Sequence, residues 1–295
     1  MEAIADTLAR HAVAVLCTIT ALALLSTFLL WRLVEHFGPR LWQLALQCWD
    51  ALRGSAFLQQ LRHTPGLGHL LTHTLTATRY LGLYAIAAFA VALGSVGAFF
   101  ELADEIGLDE STGQFDVTLS RSLSTHLSQP TLQAITLITH LGDKRFLIPL
   151  AILVTIVLLL KRERLLAAAW AVATASGALL NVALKAWFER TRPAHEHGVV
   201  VADGWSFPSG HASGALLVYG LLAYLLIRFT PRAWHLPIAI VAVALIVFVG
   251  FSRVLLQVHY LSDVIAGYLS AAAWALLCVA GLEAVRWRGK QSAES

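Results

Sequence analysis

Residues 165–193 read LLAAAWAVATASGALLNVALKAWFERTRP. Positions 165–184 carry no charge, and about 20 apolar residues are what an α-helix needs to cross a bilayer core of roughly 30 Å. Charge then crowds the exit, as Lys185, Glu189, Arg190 and Arg192, with Pro193 closing the helical pattern. A span that ends on Lys185-x6-Arg192-Pro193 sets cations at the membrane surface. They can serve there as snorkelling anchors. They can also hold an anion, Lys as a point charge and Arg as a planar fork matched to phosphate oxygens.

The rest of the chain is built the same way. Of its 295 residues 58% are hydrophobic and 13% charged, and the mean hydropathy is +0.70. This composition excludes a soluble domain and predicts a polytopic membrane protein. The net charge of +3, without a Lys/Arg-rich run, gives no footprint for nucleic acid. Cys17, Cys48 and Cys278 have neither metal-ligand nor disulfide spacing and are expected to be buried, inert thiols.

Apolar runs fall at 12–31, 80–100, 146–160, 165–184, 212–227, 236–251 and 264–282. The fold class expected is all-α, a polytopic helical bundle with a six-span core plus one N-terminal span, itself read as an uncleaved anchor. Residues 1–78 would hold that span and cytoplasmic interfacial helices such as 41–52, broken by Gly38-Pro39 and Pro65-Gly66. Residues 79–284 would form the core, and 285–295 a cytoplasmic tail. The basic turn Lys161-Arg162-Glu163-Arg164, together with Arg228, Arg232, Arg286 and Arg288, belongs on the cytoplasmic side. The mostly acidic segment 101–143 then falls outside, the N-terminus lies out and the C-terminus in.

Two more polar strings stand at span ends. Pro208-Ser209-Gly210-His211 precedes an apolar helix. Its Ser and Gly suit an N-cap, a helix start offers free backbone N–H groups to an anion, and His211 sits at the mouth. Ser252-Arg253 closes one span and His259-x3-Asp263 opens the next. If 258–264 is helical, His259 and Asp263 share a face at i, i+4, and the carboxylate can fix the imidazole tautomer. The span count brings all three strings to one non-cytoplasmic face, because the pair of spans between His211 and Ser252 returns to the plane it left. Ionisable groups kept beside a bilayer mark a functional site.

Together, in order and spacing, the strings resemble the signature of the type 2 phosphatidic acid phosphatase superfamily, from about Tyr80 to Leu282. The resemblance implies a membrane lipid phosphatase acting through a phosphohistidine. It makes His259 the nucleophile, Asp263 its orienting partner and His211 the acid for the leaving oxygen. Lys185, Arg192, Ser209, Gly210 and Arg253 would bind the phosphate. No metal or cofactor is implied. The partners expected are the lipid phosphate and the membrane, in a bacterial inner membrane with the site on its periplasmic face. Undecaprenyl pyrophosphate is the expected substrate. Phosphatidylglycerol phosphate, phosphatidic acid, transfer of phosphate to a second lipid, and a lipid transporter are the alternatives. A solvated loop for His195, Glu196 and His197, with a headgroup contact or gate as its alternative, capping by Asp143, and interhelical hydrogen bonding by Asn181 complete the expectations.

Overall fold

Apolar runs as long as those above leave the backbone one way to satisfy its polar groups in a membrane, the helix. A computed structural model describes residues 2–54, 79–194, 200 and 202–294, and no strand occurs among them. The helices are α1 (Glu2–Arg10), α2 (Ala12–Gly54), α3 (Arg79–Asp104), α4 (Ser111–His126), α5 (Gln129–Thr139), α6 (Lys144–Leu160), α7 (Arg164–Phe188), α8 (Gly210–Phe229), α9 (His235–Leu255) and α10 (Leu261–Glu294). The chain divides into two compact units, Met1–Thr27 with Leu93–Ala275, and Phe28–Ala92 with Leu276–Ser295. Every candidate site residue belongs to the first.

Six helices among the described residues are long and apolar enough to cross a membrane. The run at 146–160 lies in α6, whose 17 residues rise only about 25 Å at ~1.5 Å per residue. The break expected at Gly38-Pro39 is absent, since α2 runs through Pro39 without interruption. Residues 55–78 lie outside the described residues, as do His195, Glu196 and His197. The cysteines are not buried as expected. Cys17 and Cys48 are exposed and Cys278 is half-buried, because their helices turn these positions to the apolar outer surface rather than the core.

Within the first unit α8 packs against α9, α7 and α6, and α9 also packs against α5. Polar tips of aromatic side chains tie the bundle, each donating to a backbone carbonyl. Trp170 Nε1 reaches Ala151 O at 2.9 Å, Tyr219 OH reaches Leu141 O at 2.6 Å, Tyr268 OH reaches Ile246 O at 2.6 Å, and Trp274 Nε1 reaches Ala173 O at 3.2 Å. A Tyr or Trp left without such a partner in a dry interior would cost the desolvation of its polar atom.

Two glycines permit the approach that assembles the site end. A Cβ on Gly267 would lie 2.7 Å from the Ser209 carbonyl oxygen, and one on Gly250 would lie 1.8 Å from the Tyr268 hydroxyl. The first brings α10 against the turn that opens α8. The second brings α9 against α10.

The segment 101–143, an acidic surface stretch by composition, is mostly helical. Ser128 caps α5 by accepting from Thr131 N. The helix α4 packs against α1, and His126 Nε2 lies 3.6 Å from Asp6 Oδ1 between them.

Candidate active site

Alternating helix directions gather four ends at one place: the C-termini of α7 and α9 and the N-termini of α8 and α10. Lys185 stands in the last turn of α7. Its Nζ donates to the carbonyls of Trp205 (2.6 Å) and Ser206 (3.1 Å). The helix ends on Glu189, in the left-handed region at φ 46°, and the chain continues without regular structure through Arg192. That guanidinium donates to the carbonyls of Gly204 (3.0 Å), Val258 (2.6 Å), Asp203 (3.1 Å) and Trp205 (3.1 Å). Its Nη1 also lies 3.2 Å from His259 Nε2.

The Pro208–His211 string is seated by an aromatic cluster. Phe207 is fully buried, its ring centroid 5.5 Å from that of Phe99 and 5.0 Å from that of Phe188. Ser209 caps α8 as expected, its hydroxyl accepting from Ala212 N at 3.4 Å. The Ser209 N–H donates to the Asp263 carbonyl at 2.9 Å. Asn181 Nδ2 donates to the Pro208 carbonyl at 3.4 Å, tying α7 to the turn before α8 rather than to another helix as expected. His211 follows in the first turn, with Nε2 3.9 Å from Asp143 Oδ2. Asp143 also caps α6, accepting from Arg145 N at 2.8 Å, so one carboxylate serves both ends of the contact.

Arg253 is buried near the end of α9 and donates from Nη1 to Thr139 Oγ1 at 2.9 Å. Its Nε is a buried donor with no hydrogen-bond partner among the described residues. Burying an N–H without an acceptor is costly, and an oxyanion placed there would remove the cost.

His259 and Asp263 meet, but not on one helix. The helix α10 begins at Leu261, so His259 precedes it and Tyr260 takes the N-cap position. Asp263, in the first turn, reaches back to accept from the Tyr260 N–H at 2.9 Å, the reciprocal half of a capping box. The same Oδ2 lies 3.2 Å from His259 Nδ1 and accepts from the Ser206 hydroxyl. Burial lowers the His259 pKa to about 4. Arg192 and Lys185 add to the shift, and the Asp263 hydrogen bond and charge oppose it. The imidazole is therefore neutral at pH 7. With Nδ1–H donated to Asp263, the Nε2 lone pair faces the cations. Ring ¹⁵N NMR of the folded protein in detergent should show His259 still neutral at pH 5, whereas an ordinary histidine is protonated below 6.5. Between about 6.5 and 4 the unfolded chain binds the extra proton, so this group makes stability fall as pH drops through that window. A ring titrating at 6.5 would contradict the burial seen here.

A cavity of about 840 Å³ joins these groups. Lys185, Arg192, Gly210, His211, Arg253 and His259 line its polar end. From there it continues between α6 and α7 past Ile148, Ala151, Ile152, Ala178 and Val182, and Ile148, Ile152 and Val182 are exposed at its lips. Of the residues expected at the site, the cavity thus takes in all but Ser209 and Asp263, which sit fully buried behind it.

Composition and motif missed four residues. Arg190 donates from Nη1 to Asp263 Oδ1 (2.7 Å) and Ser262 Oγ (2.7 Å), and from Nη2 to Asp116 Oδ2 (2.9 Å). Asp116 comes from α4, Ser206 from the loop before α8, and Thr139 from α5. The available signal was a second arginine inside the Lys185–Arg192 string.

The model of the PAP2 superfamily matches residues 165–287. Phosphatidylglycerophosphatase B of Bacillus subtilis is 36% identical over 145 residues, covering 48% of this chain and 71% of that protein. A transmembrane PAP2-type phosphatidylglycerolphosphate phosphatase solved from the same organism superposes with a TM-score of 0.61 at 30% identity. That match covers 66% of this chain and 96% of the other.

Proposed function

The chain belongs to the PAP2 superfamily and is a membrane lipid phosphatase of that type; on that premise we propose that it cleaves a terminal phosphate from its lipid through His259. The observation that carries this reading is the convergence of Arg253, Lys185 and Arg192 on the lining of the cavity that His259 and His211 also line, with the Arg253 Nε a buried donor lacking a partner among the described residues. Three cations there suit a dianionic phosphoryl group and the charge that grows on its oxygens. The His259 Nε2 lone pair attacks phosphorus, the bond to the leaving oxygen breaks, and His211, which takes up a proton when the bound phosphate dianion offsets the surrounding Arg192 and Arg253 charges, gives that oxygen the proton. Asp263 stabilises the imidazolium formed at Nδ1–H. His211 then takes a proton from water, the hydroxide attacks phosphorus, and the P–Nε2 bond breaks to release phosphate. Ser209 holds the turn from behind, its N–H on the Asp263 carbonyl, and Gly210 at the cavity lining offers its N–H to the anion. The cations supply the positive charge, so no metal is assigned.

The apolar continuation of the cavity between α6 and α7 suits a lipid whose tails stay in the bilayer. Phosphatidylglycerol phosphate is the first substrate by likeness to the two Bacillus subtilis proteins. Undecaprenyl pyrophosphate is the second, favoured by the basic turns, which support an outer, periplasmic position for the site in a bacterial inner membrane. By function, and apart from the two packing units, we assign residues 79–284 as the catalytic core, with 1–78 before it and 285–295 as a tail. Purified protein in EDTA should release phosphate from phosphatidylglycerol phosphate faster than from undecaprenyl pyrophosphate, phosphatidic acid or lipid A. No release from any of them would overturn the reading. A reversed order would make undecaprenyl pyrophosphate the substrate, and labelled phosphate passed to an added lipid would make the protein a transferase.

A further inference from the structure

Behind His259 lies a layer of charge that the cleavage scheme does not use. Asp116 is 2% exposed and Asp263 0%, and Arg190 bridges them, at 2.9 Å from Asp116 and 2.7 Å from Asp263. Ser262 closes the cluster, its N–H donating to Asp116 Oδ1 at 3.3 Å and its hydroxyl to Asp116 Oδ2. The Arg190 guanidinium also lies over the Tyr260 ring, 4.3 Å from its centroid. Every link joins distant chain: α4, the loop after α7, and the first turn of α10.

The arithmetic of charge is the point. An arginine placed directly on Asp263 would neutralise much of its field and leave His259 less support for a positive charge. The second carboxylate divides the guanidinium between two anions, so part of the Asp263 charge stays available to the imidazole. We infer that Asp116, acting through Arg190, is a positioning and charge-balancing residue that keeps Asp263 anionic toward His259.

Other charges face these groups. Arg192 and Lys185 act on His259 from the cavity side, which His211 also lines, and Asp116 and Arg190 both act on Tyr260. The cavity cations oppose a positive His259, which leaves Asp263 as its support and makes the balance behind it matter. Burial raises the Asp116 pKa, and the Ser262 hydrogen bond and Arg190 lower it. An anionic Asp116 thus depends on the same partners that it steadies.

The inference rests on His259 being the reacting group, but its test does not need turnover. Ring ¹⁵N NMR reads the His259 titration directly in detergent-purified full-length protein. Asp116→Asn keeps the shape and removes the charge, so His259 should titrate lower than in the wild type. Arg190→Gln frees Asp263 from its cation, so His259 should titrate higher. A packing role alone predicts no such opposition of sign. On the lipid that the wild type cleaves, Asp116→Asn should lower kcat about tenfold with KM within roughly twofold. The double variant Asp116→Asn/Arg190→Gln removes one charge of each sign and should be more active than the product of the two single losses. If one single variant fails to fold, the direction of the His259 titration shift in the other carries the test. Shifts of one sign in both single variants, no shift in either, or strictly additive losses in the double variant would overturn the inference.

Discussion

His259→Gln is expected to lower phosphate release by on the order of 10⁴-fold or more, the scale seen when a covalent nucleophile is removed from a site that keeps its binding groups. The loss should appear in kcat. The cations that would seat the phosphate, Lys185, Arg192 and Arg253, keep their own contacts with Trp205, Val258 and Thr139, so KM should change little. The fold should survive as well. Asp263 loses one donor but still accepts from Tyr260 N, Arg190 and the Ser206 hydroxyl. Single-turnover reactions with labelled lipid supply the second readout. The wild type should carry acid-labile, alkali-stable phosphate on protein, and the variant none. A variant with wild-type turnover would remove His259 as nucleophile, and a labelled variant would move the covalent bond to another residue.

His211→Asn should cost about 10²–10⁴-fold on a lipid substrate, the usual worth of a general acid–base group. The leaving oxygen of a lipid alcohol needs a proton, and the water that clears the phosphoenzyme must lose one. His211 is placed for both, with Asp143 on one side at 3.9 Å and the cavity on the other. An aryl phosphate whose leaving group needs no proton separates the two steps. On it the variant should show a near-normal burst equal to the enzyme present, followed by slow turnover as phosphoenzyme accumulates. A variant slow in the burst itself would mean that His211 holds the phosphate rather than moving protons.

The three polar strings were readable because a span end is a short local pattern, and two crossings return the chain to its starting plane. Topology therefore brought Lys185, His211, Arg253 and His259 together before any contact was known. The meeting of His259 with Asp263 was expected for a partly mistaken reason. The four-residue spacing works because Asp263 turns back to cap the helix start, not because both residues ride on it. Asp116 was out of reach, standing 146 positions from Ser262 in a segment that composition marks only as acidic. An aspartate buried by tertiary packing looks the same in sequence as one in water. Arg190 was legible as a charge, but nothing local distinguishes a guanidinium aimed inward between carboxylates from one that anchors a span end.

The short α6 has a consequence for the lipid around the protein. Its 17 residues span about 25 Å against a hydrocarbon core of roughly 30 Å, while its partner α7 has 25 residues. Hydrophobic mismatch falls on one flank of the bundle, the flank where the cavity opens between these two helices. Lipids there must shorten or tilt, at a fraction of a kcal/mol per Å, and either response draws headgroups toward the helix ends. A bilayer meeting the ends of α6 would have to thin on the same flank as the mouth of the cavity.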